Sequence, residues 1–326
     1  MAHLSTTYLG LELKNPLIVS SCGLTSSVKN IKKIEGAGAA AVVLKSIFEE
    51  QIRGEARSMK SSEEGVSYGA EADAYLNYYV KQGNIEEYLQ LIKEAKKAVK
   101  IPIIASVSCT SSEGWISFSK KIEAAGADAL EINLFTLPWD VKKQNDEIEN
   151  TYFTIINELK TTLSIPLSLK ITSYFSALGT TIVQLSRSGI AGLVLFNRFM
   201  DHDIDPVKMT TKPANLYSTP EELLHPLRWI SLMSGKVECD LALSTGVHDA
   251  QGIIKAISAG AAVTYMASAV HQHGIDHIST TLKDLETWMD ENHYQALENL
   301  RGALRRRNSD NTETFKRVQF MRYYSQ

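Results

Sequence analysis

The sequence predicts a single α/β domain over residues 1–326, a (β/α)8 barrel of the TIM class. Two observations predict it. Eight short, almost wholly apolar runs recur at about 17–20, 41–45, 102–106, 129–133, 166–171, 192–196, 241–244 and 262–266, with helical stretches alternating between them. Strict alternation of this kind requires a parallel sheet covered on both faces. One unit also repeats four times: a helix closed by Gly, a loop of two or three residues, then an apolar strand. The copies run through Gly38–Leu44, Ala124–Asn133, Ser186–Asn197 and Ser258–Met266. Glycine past a helix end supplies the left-handed conformation that stops it. Eight units favour a closed barrel. The rival, an open doubly wound sheet, lacks a GxGxxG turn after the first strand.

Taken in order, residues 4–13 alternate around Leu9-Gly10-Leu11 and suit a hairpin ahead of the barrel. Asn15-Pro16 opens the first strand, which runs into Ser20-Ser21-Cys22-Gly23, and a helix follows over Val28–Gly36. Pro102 and Pro166 precede the third and fifth strands. Two long βα segments break the rhythm, 49–82 and 198–220, the latter with Pro206, Pro213 and Pro220. Loops this long are functional lids or disorder, and in a barrel both sit on the catalytic face. Within the second, Asp201, His202, Asp203 and Asp205 lack the spacing of a metal loop and read as a solvated acidic loop. His271 and His273 read as surface or packing residues. Helices over 277–291 and 293–304 close the fold, and Arg305-Arg306-Arg307 reads as a solvated tail.

Composition excludes several classes. The apolar fraction of 44% suits a sizeable core rather than disorder. A net charge of −3 gives no field for nucleic acid. Cys22, Cys109 and Cys239 have no CxxC spacing, and an odd number argues for reduced thiols. No secretory leader is evident, and no apolar run approaches the roughly 20 residues that span a bilayer. The expectation is a soluble, cytoplasmic protein with no membrane partner and no bound metal.

The chemistry lies at the strand ends. Strand by strand these give Ser20, Ser21 and Cys22; Lys45 and Ser46; Ser106 and Ser108; Glu131 and Asn133; Lys170 and Thr172; Asn197 and Arg198. In a barrel they converge at the C-terminal mouth. A buried lysine there requires an anionic or hydrogen-bonding partner. The last two strands end in Ser244-Thr245-Gly246 and Ala267-Ser268, small residues that leave backbone N–H groups free for a phosphate. A plain Gly-rich connection is the alternative for that stretch.

LGLELKNPLIVSSCG, VVLKS, YLNYYVKQ, DALEINL, LSLKI, LVLFN, DIDP, STGV and MASAVHQHG follow one another in this order. Together they resemble the dihydroorotate dehydrogenase family, its soluble class 1 branch most of all. The resemblance implies an FMN-dependent barrel enzyme, a homodimer working on a small-molecule dihydro acid with a soluble electron acceptor such as fumarate. By position it places Ser20, Ser21, Cys22, Lys45 and Ser46 against the flavin. It places Gly246, Val247, Ala267 and Ser268 on the phosphate. Asn133 then meets flavin and substrate, Lys170 the N1/O2 edge of the ring, and Asn197 the substrate, with Lys45 and Arg198 beside it. The family's base motif falls on Asn133-Leu134-Phe135-Thr136-Leu137-Pro138, which puts Thr136 at the base position. A hydroxyl there needs a relay to act as a base, and loop hydrogen bonding is its other role. The family's substrate asparagine loop is replaced by Gly65-Val-Ser-Tyr-Gly-Ala-Glu71, and its Gly-Gly loop after strand 6 is absent. The flavin scaffold therefore reads as intact and the substrate pocket as rebuilt, with Tyr68, Arg198 and His202 as candidate lining. Two rivals remain at this level: a Schiff-base aldolase with Lys170 as nucleophile, and a catalytically degenerate flavin-binding barrel.

Overall fold

The computed structural model describes residues 2–48, 85–109, 116–134, 137–142, 144–199 and 201–305. An antiparallel hairpin, β1 (Thr6–Tyr8) and β2 (Leu11–Leu13), precedes the barrel. The barrel strands are β3 (Leu17–Val19), β4 (Ala41–Val43), β6 (Ile103–Cys109), β7 (Ala129–Leu134), β8 (Leu167–Ile171), β9 (Gly192–Leu195), β12 (Asp240–Ser244) and β13 (Val263–Met266). Every neighbouring pair is parallel, and the β4–β6 pairing closes the ring. A two-residue strand, β5 (Ile47–Phe48), extends the ladder along β6. All eight predicted strands are therefore present. So is the expected helix over Val28–Gly36, α1. The remaining helices are α2 (Ile85–Ala98), α3 (Ile116–Ala124), α4 (Asn145–Thr162), α5 (Leu178–Ser186), α6 (Leu224–Met233), α7 (Ala250–Ala259), α8 (Ser268–His273), α9 (His277–Glu291) and α10 (Leu297–Leu300).

The repeated helix–Gly–strand unit has a single backbone cause. Gly38, Gly126, Gly189 and Gly260 all take positive φ, 88° to 114°. Each lets the chain reverse from a helix into the next strand within a few residues.

Two apolar layers result. Outward-facing strand residues such as Leu130, Ile132 and Leu169 pack under the helices. Inward-facing residues such as Ile18, Val43, Ile104 and Val194 fill the barrel. On β7 the inward set is Ala129, Glu131 and Asn133, so the period of two that buries the leucines outside turns two polar groups inside.

The hairpin is the barrel's floor. Leu9 and Gly10 form its two-residue turn, with φ of 56° and 74°, the left-handed pair that suits strand twist. The Leu9 N–H donates to Asp240 Oδ2 at 2.9 Å. A Cβ on Gly192 would lie 2.5 Å from Leu9 Cδ2, so only glycine leaves room for that side chain. The Tyr8 hydroxyl is 3.2 Å from both Ser168 Oγ and the Tyr265 hydroxyl.

The structure departs from expectation in two places. The segment 198–220 contains a second antiparallel hairpin, β10 (His202–Asp205) with β11 (Thr210–Pro213). The Asp205 carboxylate caps its turn by accepting from the N–H groups of Val207 and Lys208, each at 3.0 Å. The acidic stretch is thus strand and turn, held by backbone pairing with no buried apolar face; Ile204 is 64% exposed. Near the C-terminus the expected helix 293–304 shrinks to α10, because His293 (φ 63°) and Gly302 (φ 72°) interrupt helical geometry. The long segment 49–82, including Tyr68, and the residues Arg306 and Arg307 lie outside the described residues. Among the described residues no helix is long and apolar enough to cross a membrane.

Candidate active site

Four strand ends are stitched together at the C-terminal mouth. Ser21 Oγ, past β3, lies 3.0 Å from Ser46 Oγ, past β4, and accepts from the Ser46 N–H at 2.9 Å. Ser46 Oγ is 2.8 Å from Ser106 Oγ on β6. Asn133 Nδ2, at the top of β7, donates to Ser106 Oγ at 2.8 Å and to Ser46 Oγ at 3.2 Å. Ser20 is buried, and its N–H donates to the Met266 carbonyl. Cys22 is half-buried, and burial pushes its thiol up. Lys45 stands exposed at the rim.

Lys170 lies opposite Asn133 in the β7–β8 register. It is 9% exposed, and among the described residues no carboxylate lies within ion-pair distance of it. Its Nζ sits 5.7 Å from the Tyr265 ring centroid. Burial draws its pKa down, opposed by the charges of Glu131 and Cys22. Asn197, past β9, donates to the Lys170 carbonyl at 3.2 Å. A cavity of about 210 Å³ opens beside them, lined in part by Tyr174, Phe196, Asn197, Ser244 and Thr245.

The other end of the mouth is built from small residues and amides. β12 runs into Thr245 and Gly246, with φ of 83° and 76°. A Cβ on Gly246 would lie 2.2 Å from the Leu223 nitrogen, so the chain comes too close here for any side chain. Gly246 and Val247 are buried, and among the described residues nothing accepts from their N–H groups. Asp249 caps α7 by accepting from the Gly252 N–H at 2.8 Å. β13 leads through Ala267 to Ser268, which opens the short extra helix α8. Loops after the last two strands plus a short extra helix are the usual barrel phosphate site. Sequence reading missed the strap across it. Ser218 donates to Ser268 Oγ from its N–H and its hydroxyl, both at 3.0 Å, and its Oγ is 3.2 Å from His248 Nε2. The signal was available in Thr219-Pro220-Glu221-Glu222, a capping box that starts the turn Pro220–Leu223.

Arg198, expected beside the substrate, lines the cavity next to Asn197 and also forms a clamp. Its Nε donates to Glu222 Oε2 at 2.7 Å, and its Nη atoms donate to the carbonyls of Asn215, Leu216 and Tyr217 at 3.0–3.3 Å. The guanidinium is committed to the strap that carries Ser218. His202 lies on β10. Thr136 lies outside the described residues. No group of three or more metal-ligating side chains occurs among the described residues.

The comparisons agree with this geometry. The family model for dihydroorotate dehydrogenase matches residues 3–289. The catalytic subunits of dihydroorotate dehydrogenase B (NAD(+)) from Thermoplasma acidophilum and Thermoplasma volcanium are 26% and 28% identical, over 93% of this chain and 99% of each relative. Dihydroorotate dehydrogenase A (fumarate) from Lactococcus lactis is 22% identical over the same shares. Members of the family bind FMN and are oxidoreductases acting on CH–CH donors. The residues present fit that cofactor: among the described residues, buried amides without acceptors suit its phosphate, and a buried lysine with no carboxylate within ion-pair distance suits an electron-rich ring edge. Family membership also sets aside the aldolase reading of Lys170. With its barrel, its strand-end polar groups and a family match over most of its length, the chain belongs to the dihydroorotate dehydrogenase family.

Proposed function

We propose that this protein oxidises dihydroorotate, or a related dihydro acid, and passes the electrons to a soluble acceptor such as fumarate. The observation that carries the reading is the two-ended mouth. Among the described residues, Lys170 is buried without an acceptor at one end, and the amides of Gly246 and Val247 have no acceptor at the other. In this reading Gly246, Val247, Ala267 and Ser268 hold the FMN phosphate. Ser20, Ser21, Cys22, Lys45 and Ser46 line the ring. Asn133 orients ring and substrate, and Asn197 and Lys45 bind substrate. Lys170 holds positive charge where negative charge develops, the kind of preorganised electrostatic help that accelerates a reaction most. When bound, FMN supplies hydride acceptance at N5, and the protein supplies orientation and charge. Thr136 is the proposed proton acceptor, working through a relay because a hydroxyl's own pKa is far above the operating pH. The named relatives use NAD(+) or fumarate. We assign a homodimer and, if orotate is the product, a place in pyrimidine biosynthesis.

The test is the purified protein's visible spectrum, followed by anaerobic dihydroorotate and then separate additions of fumarate and NAD(+). Bleaching by dihydroorotate and recovery with fumarate are expected. A colourless protein that FMN does not restore refutes the flavin reading. A yellow protein that no dihydro acid bleaches supports a degenerate flavin-binding barrel instead.

A further inference from the structure

Glu131 has no part in the reaction as described above, yet it is 0% exposed in the middle of the barrel. It lies on β7 one inward layer below Asn133, while Lys170 lies opposite Asn133 on β8. Glu131 therefore sits diagonally beneath Lys170. One carboxyl oxygen accepts from Asn133 Nδ2 at 3.4 Å. Tyr265 also faces the carboxyl, and the Lys170 Nζ lies 5.7 Å from the centroid of the same ring. The other oxygen, Oε2, has no hydrogen-bond partner among the described residues. Among the described residues, a buried carboxyl with an idle oxygen and a buried amine without an acceptor thus share one interior, both facing Tyr265.

An isolated charge in such an interior is too costly to persist, and loses its charge unless an opposite one is near. The charged and titratable groups that face this pair are few. Tyr265 on β13 and Tyr8 on the hairpin meet the carboxyl side, Tyr88 on α2 feels the Glu131 charge, and Cys22 lies near Lys170. Burial raises all three tyrosines and the cysteine, which keeps them neutral; it raises the Glu131 carboxyl as well, but there the Lys170 charge pulls the other way. Among the described residues, Glu131 is then the carboxylate positioned to balance Lys170.

We propose that Glu131 is a positioning residue for the flavin site: its carboxylate is the counter-charge that keeps the Lys170 ammonium charged at the barrel mouth. The proposal rests on the flavin reading of the site. It follows that in Glu131→Gln, which keeps the shape and removes the charge, Lys170 is a neutral amine near neutral pH. Reduction of the bound flavin then draws an extra proton from solvent onto Lys170, because the added negative charge restores the reason for an ammonium.

The readout is the number of protons taken up per two electrons, from the pH dependence of the bound flavin's midpoint potential. The wild type is expected to take up one and Glu131→Gln to approach two. Glu131→Asp is expected to restore the wild-type value. In a Lys170→Met background, Glu131→Gln is expected to change nothing. A purely structural role would lower flavin affinity or melting temperature and leave the proton count at one, and that result overturns the proposal. A second measurement covers a variant that fails to fold. In flavin-free wild-type protein, the lysine ε-methylene ¹³C signals report the Lys170 titration, and Lys170 is expected to be charged at neutral pH. A neutral Lys170 there overturns the proposal. Protein that binds no FMN refutes the flavin reading, and the Lys170 titration still decides the role of Glu131.

Discussion

Gly246→Ala tests the phosphate end of the mouth most directly. At φ 76° an added Cβ would lie 2.2 Å from Leu223 N, 2.7 Å from Leu223 Cα and 2.9 Å from the Glu222 carbonyl carbon. All three are backbone atoms, so no side chain can swing away. The left-handed conformation costs an L-residue about 1–2 kcal/mol. Displacing the packed turn adds about 1–3 kcal/mol, as overpacking does elsewhere. The sum is about 2–5 kcal/mol, a fall in melting temperature of roughly 3–7 °C for a chain of this size. The same shift drags the Gly246 and Val247 amides out of line. Losing one charge-assisted hydrogen bond, about 1.5–3 kcal/mol, weakens FMN binding roughly tenfold or more. Differential scanning fluorimetry and FMN titration of the flavin-free protein measure both effects. Gly36→Ala is the control: it ends α1 and has nothing within 4 Å of its would-be Cβ, so it is neutral or stabilising by up to about 1 kcal/mol. If Gly246→Ala melts with the wild type and binds FMN as tightly, the close approach to Leu223 and the amide cradle are both wrong.

Three further outcomes follow from the described contacts. A double-mutant cycle on Arg198→Ala and Glu222→Ala, read by urea denaturation, is expected to show coupling of about 1 kcal/mol, since both side chains are partly shielded (22% and 33% exposed); zero coupling would remove the clamp. Tyr8→Phe deletes a hydroxyl shared with Ser168 and Tyr265 and is expected to cost about 1–2 kcal/mol of stability while FMN affinity stays unchanged, since the floor lies at the opposite end from the mouth; an equal loss of flavin affinity would refute that separation. His248 and His225 are both lowered, first by partial burial. At pH above 6.5 both folded and unfolded forms are neutral there. Below it the unfolded chain takes up protons that the folded chain resists, so the urea midpoint is expected to fall from about pH 6.5 downward, and less steeply in His248→Asn. A midpoint flat from pH 7 to 5 would contradict this.

The barrel was legible because its signals are local. Each Gly-closed helix and the apolar run after it, as at Gly260 and Val263, can be read within ten residues. The strand-end polar residues were legible for the same reason: Ser46, Asn133 and Lys170 each follow an apolar run, and the β order brings them together. What escaped is non-local or lacks a period. The β10–β11 hairpin has no buried face, so no alternation marks it. The clamp that Arg198 forms with Glu222 and the carbonyls of 215–217 is visible only once the strap folds back. Glu131 read as one more strand-end polar residue, since burial of its carboxyl depends on Tyr265, 134 positions away.

The hairpin at the bottom of the barrel also sets a schedule. It is made first, yet Leu9 waits for Asp240, 231 residues later, to accept its N–H. At roughly 5–20 residues per second of synthesis, that wait is about 10–50 s on the ribosome. Gly192 and Ser168 emerge in the meantime, so the seat is assembled before its occupant can be latched. The hairpin residues are thus among the last to find their native partners. A chain released before residue 240 would lack β12 and β13, so the ring could not close and water would be free to reach Glu131 and Lys170.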